Sequence, residues 1–127
     1  MTQQDKDLLL RDLCARLPYG VEAHIRYNTK EPCYGKLSPL DIKWFLNSNI
    51  EYIKPYLRPL SSLTQEERDK FCDIGGVISY RPNNGKQYIV AFVPEALDYL
   101  NSIHADYRGL IEKGLAIEVT DENNPYK

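Results

Sequence analysis

The sequence has no apolar run approaching the roughly 20 residues that a membrane-crossing helix needs. Its longest candidate, Tyr88-Ile89-Val90-Ala91-Phe92-Val93, is the size of a strand. It also lacks an excess of positive charge: 16 Lys and Arg stand against 18 Asp and Glu, for a net charge of -2. That argues against a strongly basic nucleic-acid binder. Cysteine is scarce. Cys14, Cys33 and Cys72 are odd in number, widely spaced and without a C-x-x-C pair. This argues against a disulfide framework and against a zinc knuckle. Cys14 and Cys72 are expected to be small apolar packing residues on helices. His24 and His104 are the two histidines, and no H-x-H or H-x-x-x-H spacing suggests a metal site. There is no phosphate loop and no G-x-S-x-G, and Gly75-Gly76 follows a predicted helix, the wrong context for a dinucleotide fingerprint. No metal or other cofactor is therefore expected. The first residues, Met1-Thr2-Gln3-Gln4-Asp5-Lys6-Asp7, are polar and acidic and cannot form the basic front of a secretory signal. The expectation is a protein made and kept in the cytoplasm, with no membrane partner.

The 127 residues, 43% hydrophobic and 27% charged, make one ordinary domain with enough apolar material for a core. There are no repeats, low-complexity tracts or linkers. Residues 5–17 follow the helical template, with Leu10, Leu13, Cys14 and Leu17 on one face and Arg11 and Arg16 on the polar side. Asp5 or Asp7 is placed to cap the first turn, and Pro18-Tyr19-Gly20 ends the helix. Residues 21–27 alternate: Val21, Ala23, Ile25 and Tyr27 oppose Glu22, His24 and Arg26, the pattern of a half-buried strand. Residues 28–35 read as a turn region. Residues 37–46 are ambiguous, and Pro39 tips the reading toward a strand. Residues 50–57 alternate again, with Pro55 and Pro59 arguing for an edge strand or extended strap.

Thr64-Gln65-Glu66-Glu67 is a capping box that opens a helix to about Ile74, closed by Gly75-Gly76, with Phe71 as its core residue. Residues 77–81 and 87–92 flank Asn84-Gly85 and predict a hairpin. Pro94 opens a helix to about Ala105. A second short helix is expected over 107–113, stopped by Gly114, followed by a last strand with Leu115, Ile117 and Val119 on one side. Residues 118–127 read as a frayed tail. The sum is an α+β fold: a single small domain with a mostly antiparallel sheet, an N-terminal helix, a middle helix and C-terminal helices.

Two clusters could carry chemistry. In an extended chain Tyr52, Lys54, Tyr56 and Arg58 share a face, two aromatics interleaved with two cations. Tyrosines stack on bases while Lys and Arg reach phosphates, so the stripe fits single-stranded nucleic acid; Tyr80, Arg81, Lys86 and Tyr88 on the hairpin could extend it. The plainer reading is the amphipathic face of a strand, with wet hydroxyls and stems laid over apolar surface. The other cluster is His104-Ala105-Asp106-Tyr107-Arg108. A spacing of two on a helix points His104 and Asp106 apart, so the expected role of Asp106 is to cap the next helix, with Arg108 pairing to Asp106 or Glu112.

The stretches IKPYLRPLSSLTQEE (53–67) and DYLNSIHADYRGLIEKGLAI (98–117), with residues 8–20, resemble a family of small uncharacterised proteins encoded in prophages and other mobile elements of gut bacteria. The resemblance implies a phage-related accessory protein and brings no activity, cofactor or catalytic residue. The expectation is a non-enzymatic domain that binds a protein partner, for which ten Tyr in 127 residues is suggestive, since Tyr is enriched at interfaces. Weak single-stranded nucleic-acid binding through the stripe is the alternative. An enzyme using His104 or Cys33 ranks third.

Overall fold

A computed structural model describes residues 1–28 and 31–126. It is α+β with a mostly antiparallel sheet. Helix α1 (Gln3–Arg16) and a 3-10 turn (Leu17–Tyr19) precede strands β1 (Glu22–Tyr27) and β2 (Cys33–Lys36). Helix α2 (Pro39–Leu46) and strand β3 (Ile50–Leu57) follow, then a 3-10 turn (Leu60–Ser62) and helix α3 (Gln65–Ile74). The hairpin β4 (Gly76–Tyr80) and β5 (Gln87–Ala91), helix α4 (Pro94–Ser102) and strand β6 (Ile117–Glu118) complete the order. One sheet runs β2-β1-β3-β6, its last pair parallel, and β4-β5 forms a second sheet of two strands. No helix is long and apolar enough to cross a membrane among the described residues.

The inward faces of β1 and β3 (Val21, Ala23, Ile25, Ile53, Leu57) pack on Leu9 and Leu13 of α1 and Phe45 of α2, with Leu110 and Leu115 completing the cluster. A smaller core gathers Leu63, Phe71, Ala96, Leu100 and Ala105 beneath the hairpin. Phe71 has no exposed surface, and the chain turns so tightly against it that a Cβ added at Gly76 would stand 2.2 Å from the ring.

Several expectations change. Residues 39–46 are helical, not a strand. Ser38 accepts from the Asp41 amide and the Asp41 carboxylate accepts from the Ser38 amide, so Pro39 occupies the first helical position, where its missing N–H costs nothing. The N-cap of α1 is Thr2, boxed with Asp5, and the buried face of the helix is Leu9, Asp12, Leu13 and Arg16, one residue off the predicted register. Cys14 and Cys72 are exposed rather than packed, as is Cys33. Part of the expected turn region is strand: residues 33–36 pair with residues 22–25, and Thr29 and Lys30 of that region lie outside the described residues. Strand β3 is interior rather than an edge, lying between β1 and β6. Pro55 falls where β1 is its one neighbour, because β6 joins at Tyr56. The hairpin forms in the expected place, with Arg81 and Lys86 closing a longer loop in which Gly85 carries the positive φ. The second short helix does not form. Residues 107–109 are irregular and 110–114 form turns, with Gly109 and Gly114 at φ of 74° and 73°.

Candidate functional site

Because α1 and α2 cover one side of the larger sheet, the other side is left open. Residues directly opposite in a ladder point to the same face, so the register defines what that side carries. His24 lies opposite Tyr34 on β2 and Lys54 on β3; Arg26 lies opposite Tyr52, and Glu22 opposite Lys36. Tyr56 joins them by alternation along β3. The rings are organised. His24 stacks on Tyr34, with centroids 4.5 Å apart and planes 10° apart, and meets Tyr52 edge-on at 5.4 Å. Tyr34 lies 6.2 Å from Tyr56, and the Lys54 ammonium sits over the Tyr52 ring. Tyr34 is 70% exposed, so the outer side of the stack is free. Burial, then Lys54 and Arg26, hold the His24 pKa below its ordinary value. Burial, then Tyr34 and Tyr52, push the Tyr56 phenol up.

Three of the four stripe residues thus share the open face, but Tyr56 is only 8% exposed. Arg58 leaves the stripe. Its two Nη groups donate to the two Glu67 carboxylate oxygens, each at 2.7 Å, and it also donates to the carbonyls of Ser62 and Ile103. Its main chain bonds His104 and Asp106 on the far side. Glu67 Oε1 also accepts from the Thr64 amide, so the capping box and this ion pair share one carboxylate. The Arg58 hydrogen bonds hold the Glu67 pKa at about 2.

Tyr80 and Tyr88 lie in the separate β4-β5 sheet, and Arg81 and Lys86 close the loop between its strands, so none of the four is part of the larger sheet. Arg81 lies over the Tyr88 ring, and Lys86 pairs with Glu112 across a groove of about 600 Å³. His24 and Tyr34 are the members that the stripe alone did not reveal. The signal for His24 was the clean alternation of residues 21–27. Tyr34 had none, lying in a stretch rich in turn residues.

The second constellation is structural. Asp106 accepts from the amides of Leu110 and Ile111, so it ties a turn where a helix cap was expected. Arg108 pairs with neither Asp106 nor Glu112 but with Asp12, 2.8 Å away. The other Asp12 oxygen holds Arg16 Nε at 2.8 Å, while Arg16 Nη2 donates to the Ala105 carbonyl at 2.6 Å. The two guanidiniums flank the Tyr107 ring. Within residues 118–126, expected to fray, Tyr126 stacks on His104 and hydrogen-bonds the sheet.

No family model, no curated protein and no solved structure matches this chain.

Proposed function

We propose that this chain is a non-enzymatic accessory protein of phage or mobile-element type that works in the cytoplasm by docking a protein partner on the open face of its larger sheet. The observation that carries the reading is the stack of exposed Tyr34 on His24, flanked by Tyr52 and Lys54. Rings stacked on one another on an open sheet face give contact area at little entropic cost, and Tyr anchors of this kind concentrate binding energy. The mobile-element part rests on the resemblance of residues 53–67 and 98–117. The test is capture from an extract of the native host by immobilised wild-type chain and by a Tyr34→Ala/Tyr52→Ala chain. A stoichiometric protein, retained after nuclease treatment and weakened by about tenfold or more in the variant, is expected, since loss of an interface anchor costs about 2 kcal/mol. Equal capture by both chains contradicts the proposal.

One observation favours single-stranded nucleic acid instead. The open ladder carries Arg26, Lys36 and Lys54 against Glu22 and the Glu51 that pairs with Arg26, a small positive balance within a chain of net charge -2. Three phosphate contacts would give a log–log salt slope of about -2 with oligonucleotides. Capture that disappears with nuclease supports this reading over the first.

A further inference from the structure

We infer that the end of the open sheet holds a seat for a tyrosine side chain, filled in this structure by the chain's own Tyr126, and that the partner segment docked there presents a tyrosine of its own. This rests on the docking role proposed for the open face. The seat is specific. The Tyr126 hydroxyl donates to the Tyr56 carbonyl at 2.6 Å and accepts from the Glu22 amide at 3.0 Å, so it joins β3 to β1 where the ladder ends. Its ring stacks on His104 at 3.7 Å with planes 9° apart. A tyrosine is needed for all three contacts: phenylalanine loses both hydrogen bonds, and a shorter hydroxyl residue loses the stack.

His104 is held for its ring. It adopts φ 63°, a left-handed conformation that is strained for a non-glycine residue. Its Nδ1 is buried without a hydrogen-bond partner among the described residues, so the imidazole contributes a face rather than a proton. Burial, then Arg16 and Arg58, hold its pKa at about 4, which leaves that ring neutral near pH 7.

The segment carrying Tyr126 is weakly held otherwise. Thr120 and Asn123 bond mainly to each other, and residues 121–123 and 125 are exposed. A space of about 270 Å³ remains between residues 122–125 and Glu22, Tyr34 and Tyr56. Two hydrogen bonds and one ring stack hold Tyr126 against the entropy of ordering the exposed residues before it. With so few ties, the strap opens before the sheet does, and a competing tyrosine can take its place. Opening also uncovers Tyr56, which enlarges the aromatic face.

The experiment uses the full chain with Tyr126→Ala and a synthetic peptide of residues 120–126 added in trans. Exchange of the Glu22 amide, followed by NMR, should quicken by about tenfold in the variant, the value of losing one to two hydrogen bonds, and slow again on adding peptide. The same peptide with Phe in place of Tyr should not slow it, and wild-type chain should bind the Tyr peptide more weakly than the variant does. Should the Tyr126→Ala chain fold poorly, Tyr126→Phe gives the same readout, because it keeps the ring and removes the hydroxyl. Glu22 exchange that stays at the wild-type rate in both variants, or peptide binding that ignores the Tyr-to-Phe change, overturns the inference. Loss of capture by the Tyr34→Ala/Tyr52→Ala chain beside an unresponsive Glu22 amide would keep the docking face and remove the seat.

Discussion

Asp12 has no exposed surface and two carboxylate oxygens, and each oxygen holds a different guanidinium. A buried charge persists only when its partners are close and hydrogen-bonded, and Asp12, Arg16 and Arg108 meet that condition together. Removing the central acid therefore leaves two cations behind, one of them, Arg16, fully buried. Asp12→Ala is expected to destabilise the protein by about 3–5 kcal/mol in urea unfolding, and Asp12→Asn by clearly less, since the amide oxygen keeps one acceptor. Equal, small losses in the two variants would show that the triad is dispensable. The same residues explain why the core was misjudged from sequence. The i, i+3, i+4, i+7 template is satisfied by Leu9, Asp12, Leu13 and Arg16, but an apolar reading skips the charged pair and shifts to Leu10 and Cys14. Arg58 was misplaced for a similar reason. Alternation assigns it to the stripe, while the carboxylate that claims it lies nine residues on, across a turn.

At the scale of elements, local chemistry was legible and partner choice was not. The Thr64–Glu67 box, the closure at Gly75 and the alternation of β1 follow from short-range rules and stand in the structure. Ser38-Pro39-Leu40-Asp41 carries a box of the same kind, and helix α2 follows from it once Pro39 is taken as a first-turn residue rather than a breaker. The interior place of β3 depends on a two-residue parallel pairing with a strand some 60 positions away, which no local pattern reports. The acid stability of the protein belongs to this scale, because the groups concerned tie elements together. His104 has a folded pKa of about 4 against an ordinary 6.5, so the unfolded chain takes up more protons between those values and stability falls as pH drops through that window. Glu67 has a folded pKa of about 2 against an ordinary 4.5; its contribution is complete above 4.5 and is lost as pH falls toward 2. Urea midpoints should therefore decline continuously from about pH 6.5 to about pH 2. Glu67→Gln should flatten the lower part of that decline, and His104→Asn, which tolerates the left-handed backbone, the upper part. A profile unchanged by either substitution would contradict these assignments.

For the molecule as a whole, two cores share one chain and meet where the Arg58 main chain is held between His104 and Asp106. The arrangement separates tasks. One side of the larger sheet builds the core, the hairpin covers the smaller core, and the remaining sheet side keeps His24, Tyr34, Tyr52 and Lys54 on an uncovered plane. Residues 53–67 and 98–117 supply the Arg58–Glu67 tie and the Asp106 turn. The open face joins Tyr52 and Lys54, which the alternation of residues 50–57 marks, to His24 and Tyr34, which only the register brings beside them. The most direct measurement is the amide NMR spectrum of the labelled chain with and without the captured partner. Shifts concentrated in residues 22–26, 33–36 and 52–56, with 76–91 unmoved, are what the open-face account predicts. Shifts concentrated on the β4-β5 hairpin, with the larger sheet silent, would contradict it.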